Sequence, residues 1–303
     1  MLAAAGDGAT HRRAAPQPRP QESRSAAAMT GHDRQWELNR RNFQGRWCGI
    51  SHWYLRPRQG DATAGPLDLV HPSRTIPDTC YAISFSDADS GLWDGSGLLL
   101  APGGRRRLPL SRSSYNRGGM CWQFAGAGGQ SSLAVDPTQP RFGHELNFFH
   151  RRSRSMLVLL YGPLGSGEAQ RWQLDAVAAV AFRCSLARPV DPARPAVSDW
   201  RELLAEQEGW PGSVERLEPH RWPAVDPSPR PCAPFRTADF ARHECSAGFD
   251  DGLVCSVPEQ LPAGAFVLQA GCRLDADTFH QVSLRFDGDQ RLAAWELRRF
   301  QRP

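Results

Sequence analysis

The chain has 303 residues, 40% of them apolar, and a formal net charge of +4, which is enough material for two domains of ordinary size. Its 28 Gly and 25 Pro favour many turns over long helices, and no run reaches the roughly eighteen uninterrupted apolar residues of a membrane span. All 36 basic residues are Arg and Ala is abundant, a coding bias that removes Arg richness as a functional signal.

Residues 1–33 are rich in Ala, Arg, Pro, Ser and Gly and carry no apolar periodicity, so a disordered tail is expected, with Met29 as good a start for the folded protein as Met1. "DRQWELNRRNF" predicts a short helix capped by Asp33 and anchored by Trp36 and Leu38, ending before Gly45. "RWCGISHWYLRP" then alternates as a strand and is closed by Pro57. "CYAISFSD" and "SGLLLAPGG" read as a hairpin across "ADSGLWDG". "MCWQFAG", "SSLAVD", "RFGHELNFFH", "SMLVLLYGP" and "AQRWQLDAVAAVAFRC" continue at intervals of about ten residues, the spacing of an up-and-down sheet that escapes exposed edges by closing into a barrel.

"ARPVDPARPAVSD" is the predicted linker, so the expected divisions are 34–187, a Pro-rich connection 188–199, and 200–303. Ser198 is expected to cap a second short helix over "WRELLAEQEGW", after which Gly209, Trp210 and Gly212 repeat the opening of the first half. In the last hairpin Val282, Leu284 and Phe286 should share a face with Trp295 and Leu297 opposite. Ser283, Arg285, Glu296 and Arg298 should point to water, with a turn at Asp287-Gly288.

Residues 34–187 carry a net +7 and residues 188–303 a net −4. The clusters "GGRRRL" and "HRRSR" read as solvated loop tips without a recognition helix or RNA-binding signature, so no nucleic-acid partner is expected. None of the eight cysteines forms a C-x-x-C pair and there is no signal peptide. They are expected to be reduced core residues, with no metal site, no cofactor and a cytoplasmic location. "RHECSAG" is not H-E-x-x-H, and a strand would put Glu244 opposite His243 and Cys245. "GPLGSGEAQ" lacks the Lys-Ser/Thr of a phosphate loop, and no Gly-x-Ser-x-Gly elbow is present.

"NFQGRWCGI" resembles the opening of lipocalins and other calycins, in which a Gly-x-Trp starts the first barrel strand and the Trp packs across the closed end; Gly45 and Trp47 hold those structural positions. "FDDGLVCSVPEQLPAGAFVLQAGCRLDADTFHQVSLRFDGDQ" resembles the C-terminal part of a family of unknown function from cyanobacteria and plants, built of two consecutive calycin-like barrels. The match lies in Asp251, Gly252 and Pro258 and the long hairpin that follows. Cys272 stands where members of that family carry Trp. The resemblance spans about residues 35–302 and implies a mainly β fold of two antiparallel β-barrels, each opened by a short helix. No catalytic residue is carried over, because the family has none established.

A small barrel holds either packed side chains or one small ligand. Trp53, Tyr54, Trp93, Trp122, Phe148, Tyr161 and Trp172 are the candidate lining residues, with Arg154 and His144 as anchors for a carboxylate. The expected function is a binding protein for a small apolar or amphipathic molecule such as a fatty acid, isoprenoid or tetrapyrrole. The alternatives are a lyase or cyclase acting on such a molecule, by analogy with bilin lyases of related fold, and packed barrels serving as an interaction module.

Overall fold

The computed structural model describes residues 29–59, 62–63, 65–98, 106–165, 170–194, 196–197 and 199–303. The expected tail over 1–28, the C-terminal part of "SGLLLAPGG", most of the glycine-spaced "GSGE" and the Ser198 cap lie outside the described residues. The first helix, α1 (Gly31–Phe43), starts earlier than expected. Thr30 is its N-cap and Asp33 the third helical residue of a capping box, so Asp33 reaches back to the Thr30 N–H at 3.0 Å.

The strands of the first half are β1 (Gly45–Leu55), the short pair β2 (Arg58–Gln59) and β3 (Ala62–Thr63), β4 (Arg74–Phe85), β5 (Ser90–Asp94), β6 (Arg107–Ser111), β7 (Cys121–Phe124), β8 (Ala127–Ser131), β9 (Phe142–His150), β10 (Ser153–Leu164) and β11 (Arg171–Cys184). Apart from β2 and β3 they form one curled nine-stranded antiparallel sheet in the order β6-β5-β4-β1-β11-β10-β9-β8-β7. The partner of β4 is "SGLWD", reached by a turn at residues 86–89, rather than the predicted "SGLLL". Of "SSLAVD" only Ser131, the last residue of β8, belongs to this sheet.

The second half holds α2 (Trp200–Ala205), β12 (Gly212–Leu217), β13 (Arg230–Cys232), α3 (Thr237–Phe240), β14 (Cys245–Gly248), β15 (Leu253–Val257), β16 (Phe266–Arg273), β17 (Thr278–Phe286) and β18 (Leu292–Gln301). Asp199 caps α2 through a bond from the Arg201 N–H at 2.8 Å. The strand order is β13-β12-β18-β17-β16-β15-β14. In both sheets a short helix precedes the first strand, and that strand pairs with the last one of its half, β1 with β11 and β12 with β18.

The expectation of two consecutive barrels, each with its own interior, is corrected by the way these sheets pack. Period-two alternation points Leu146 and Phe148 of β9, Leu157 and Leu159 of β10, and Val177 and Ala179 of β11 to the convex face of the first sheet. There they form one continuous core with Leu253, Leu268, Val282, Leu284, Trp295 and Leu297 of the second sheet. Trp122 and Trp295 stack across this interface, and both indole N–H groups donate to Ser131 Oγ at 3.1 Å. The far face of the second sheet is covered by α2 and α3, with Trp210, Phe235 and Phe300 in that smaller core. In the last hairpin Val282 faces Leu297 and Leu284 faces Trp295 as expected. Ser283 and Glu296 are buried rather than solvated, and Glu296 accepts from Arg216 at 3.1 Å and forms an ion pair with Arg285 at 2.8 Å.

The Asp-Gly element that carries the resemblance is where the halves lock. Asp251 sits in a 3-10 turn at φ +64°, 1% exposed. It is held by Arg183 at 2.5 Å, Arg194 at 2.8 Å and the Ser155 hydroxyl at 2.6 Å. Gly252 follows at φ +75°, where a Cβ would lie 2.6 Å from the Arg273 carbonyl oxygen. Pro258 offers its carbonyl to the Tyr161 hydroxyl at 2.9 Å. The Pro-rich connection is docked along this seam: Asp191 accepts from the Arg152 N–H at 2.8 Å, and Arg194 is one of the two guanidinium partners of Asp251.

The reading of all eight cysteines as reduced is also corrected. Cys48 of β1 and Cys80 of β4 are directly opposite in the ladder and form a disulfide, while the other six are free. Cross-strand neighbours are brought together by register, which a count of Cys spacing does not see. No helix among the described residues is long and apolar enough to cross a membrane.

Because the two sheets share one core, denaturant should unfold the chain in a single transition. Asp251→Ala leaves two half-buried guanidinium groups without their carboxylate and should lower stability by about 3 kcal/mol. Urea unfolding followed by Trp fluorescence and far-UV circular dichroism measures both; two separated transitions in the parent protein would show independent halves.

Candidate ligand cavity

The concave face of the first sheet lines a half-open cavity of about 720 Å³. Its wall is built by the residues that alternate with the shared core: Ile76, Tyr81 and Ile83 from β4, Trp93 from β5, Met156 from β10, and Val180 and Phe182 from β11. The sheet does not close on itself, since β6 and β7 are its two ends, and α1 spans the gap. At the β7 end, Gln35 and the Gln123 backbone exchange two hydrogen bonds, at 3.0 and 2.8 Å, and the Asn42 amide donates to the Phe124 carbonyl at 2.9 Å. At the β6 end, Asp33 pairs with Arg112 at 2.7 Å, and the Trp36 indole donates to the Ala88 carbonyl at 2.7 Å. Thus fixed, α1 turns Trp36, Asn39 and Phe43, spaced three and four residues apart, into the cavity.

Trp47, 1% exposed, packs in one apolar cluster with Phe43, Tyr81 and Phe182. Its indole donates to the Phe43 carbonyl at 2.8 Å, and the Arg152 guanidinium lies over its ring at 5.2 Å. Gly45 adopts φ +148°, and a Cβ there would come within 2.6 Å of Arg152 Nη2, so both the turn and the arginine stack require glycine.

Arg154 is the cation of this cavity. It is 1% exposed, and its guanidinium lies 4.8 to 5.9 Å from the ring centres of Phe43, Tyr81, Phe182 and Phe149. Nε donates to Asn147 Oδ1 at 2.7 Å and Nη2 to Glu145 Oε1 at 3.1 Å, whereas Nη1 has no hydrogen-bond partner. Burial pulls its pKa down to about 9, which still leaves a cation at neutral pH. Glu145 lies within the protein but a third of its side chain is accessible from the cavity (33%). Enclosure pushes its carboxyl up, opposed by the Asn147 hydrogen bond. Tyr115, Cys121 and Gln123 complete the polar side, where burial raises the Tyr115 hydroxyl strongly and the Cys121 thiol to about 11.

Of the residues singled out in the sequence, Trp53, Trp93 and Arg154 line this cavity. Tyr54, Trp122, Phe148, Tyr161 and Trp172 belong instead to the core between the sheets, and His144 lies among them, its ring 4.5 Å from Phe142 and 5.8 Å from Phe286. Strand phase is the reason. Tyr54 follows Trp53 and so faces the other way. Arg154 pairs with Phe149 across the β9–β10 turn, which puts Phe149, Asn147 and Glu145 on its face and His144 and Phe148 on the opposite one. The register thus held the signal for Glu145. The helix contribution from Trp36 and Phe43 had no such signal, because nothing in the sequence says where α1 docks. In "RHECSAG", His243 meets the Val267 carbonyl at 3.0 Å and Glu244 accepts from the Glu259 N–H at 2.9 Å, so both serve local structure.

Fold and site together define a mainly β protein whose curled antiparallel sheet lines a largely apolar cavity. Among solved structures the chain is similar to a protein of unknown function from the DUF3598 family of Nostoc punctiforme PCC 73102, with a TM-score of 0.60 and 15% identity over 89% of this chain and 99% of that one. The likeness shows a shared fold with a member of an uncharacterised cyanobacterial family. No family model and no curated protein matches the sequence.

Neither ring nitrogen of His144 has a partner, and burial drives its pKa down to about 3; His280, also buried, is lowered to about 3. A pKa below the unfolded value makes the unfolded chain the better proton acceptor on acidification. The stability is therefore full above about pH 6.5 and is lost as pH falls towards 3, by about 1.4 kcal/mol per pH unit for each histidine. Chemical denaturation at pH 7 and pH 5 should show this loss, and His144→Leu should remove the part due to that residue.

Proposed function

We propose that the protein is a calycin-like carrier whose first sheet binds one amphipathic molecule, with the apolar body against the aromatic wall and an acidic head group at Arg154. The observation that carries this reading is the cavity itself. Its 720 Å³ lies within the range of small-molecule sites, about 300–1,000 Å³, and its wall is mostly apolar with a few convergent polar groups. A fatty acid, an isoprenoid acid or a linear tetrapyrrole carboxylate fits that chemistry. The unpartnered Nη1 of Arg154 supports an acceptor from outside the protein, because a buried guanidinium nitrogen without a hydrogen bond is costly.

The calycin affiliation is supported by three features: the helix before a Gly-x-Trp, a buried Trp47 under the Arg152 guanidinium, and the pairing of first strand with last. A packed interaction module accounts less well for an interior of this size.

Titration with the neutral fluorophore N-phenyl-1-naphthylamine should give saturable one-to-one binding in the micromolar range. Ile76→Trp, which projects an indole into the cavity, should abolish it while far-UV circular dichroism stays unchanged. Native mass spectrometry of protein from its own cells should show a retained small acid. A parent protein that binds neither the fluorophore nor a cellular ligand would rule the reading out.

A further inference from the structure

Glu145 and the head group of such a ligand need the same cation. Arg154 is the charged side chain that closes the floor of the cavity, and Glu145 Oε1 holds its Nη2 at 3.1 Å while Nη1 stands unpartnered. The pair is neutral as a unit. Adding an anion beside it would leave a net negative charge against the aromatic wall of Phe43, Tyr81 and Phe182, where Coulomb energies are larger than in bulk water. A proton taken up by the carboxylate restores neutrality.

We infer that the cavity binds its anionic ligand together with one proton: the head group pairs with Arg154 and Glu145 becomes a neutral acid. This rests on the binding reading above and deepens it. The balance is simple. An anion and a proton enter, the ion pair between Arg154 and Glu145 is exchanged for one between Arg154 and the ligand, and no covalent bond to carbon changes. Oε2, which makes no hydrogen bond to another described residue, is the atom that receives the proton, while Oε1 keeps the bond from the Asn147 amide at 3.0 Å. The surroundings favour the neutral acid. The titratable groups that share the cavity with Glu145 are Arg154 on β10, Tyr81 on β4, Cys121 on β7 and Tyr115 on the connection before β7. Burial raises the Cys121 thiol and the Tyr115 hydroxyl and so keeps them neutral at neutral pH, which leaves Arg154, at 3.1 Å, as the charged group against Glu145. Burial already pushes the Glu145 carboxyl up, and a ligand that takes over the guanidinium removes the cation beside it. The carrier would therefore load more tightly where pH is lower and release as pH rises.

Two probes of the same shape separate the questions. 1-Anilinonaphthalene-8-sulfonate is an anion at every pH from 5 to 8, and N-phenyl-1-naphthylamine is its uncharged counterpart, so any pH dependence peculiar to the first belongs to the protein. The sulfonate should bind more tightly as pH falls, by up to about tenfold per pH unit within the window set by Glu145 in its free and occupied states, while the neutral probe stays level. Calorimetry in buffers of different ionisation enthalpy should show close to one proton taken up with the sulfonate and none with the neutral probe. Glu145→Gln should abolish both the proton uptake and the pH dependence for the sulfonate. If the neutral probe binds and the sulfonate does not, Arg154 is not an anion site and the inference falls while the apolar cavity stands. If both bind and no proton is taken up, proton linkage is overturned; if neither binds, the binding reading and the inference fail together.

Discussion

The structure depends on a sheet whose central strands are apolar on both faces. Along β9, β10 and β11, alternate residues such as Leu146, Leu157 and Val177 point one way, and Phe149, Met156, Val180 and Phe182 point the other. Such strands need cover on both sides. The second sheet supplies it on the convex side, and curvature with α1 supplies it on the concave side, where the cover is incomplete and a cavity remains. The second half is thus the other wall of the core that lets the first half keep an open interior. Asp251 with its two arginines fixes the seam at the place where the connection crosses it.

A cation in such an interior needs explanation, since desolvating a guanidinium is expensive unless every donor is satisfied. Arg154 is compensated in part, by Asn147, by Glu145 and by the π-faces around it, with one nitrogen left over. Its neighbours on β10 would pack as well with an aliphatic residue in its place. On the binding reading proposed above, an acidic head group would supply the acceptor that Nη1 lacks. Glu145 makes the same point from the other side, because a carboxylate accessible from a cavity is better placed to exchange partners than one sealed in a core.

Much of the architecture was legible in the sequence. The mainly β character, the helix before each first strand and the final hairpin follow from alternation and from Gly and Pro placement, although the first helix is capped by Thr30 rather than by the expected Asp33. What was not legible is how the pieces meet. Alternating apolar residues define a buried face without saying whether it lines a cavity or meets another sheet, so Trp122, Phe148 and Tyr161 read equally well as lining and as shared core. Parity could have gone further: Trp53 and Tyr54 cannot face the same interior, nor can Arg154 and His144 once the β9–β10 turn fixes Phe149 opposite Arg154. The Cys48–Cys80 pairing needed the β1–β4 register, which a bulge between Gly49 and Ser51 shifts.

The position of α1 ties these threads together. A curled sheet of nine strands with free ends at β6 and β7 would expose unpaired backbone groups on both sides of the gap. Gln35 and Asn42 answer those of β7 with side-chain amides, and Asp33 and Trp36 hold the opposite end, so one helix replaces the missing strand contacts. The closure uses hydrogen bonds and one ion pair where a closed barrel would use a continuous ladder. The same helix that answers the open ends of the sheet also presents Trp36, Asn39 and Phe43 to the cavity, so the residues that complete the closure and those that complete the cavity wall lie one turn apart on a single element.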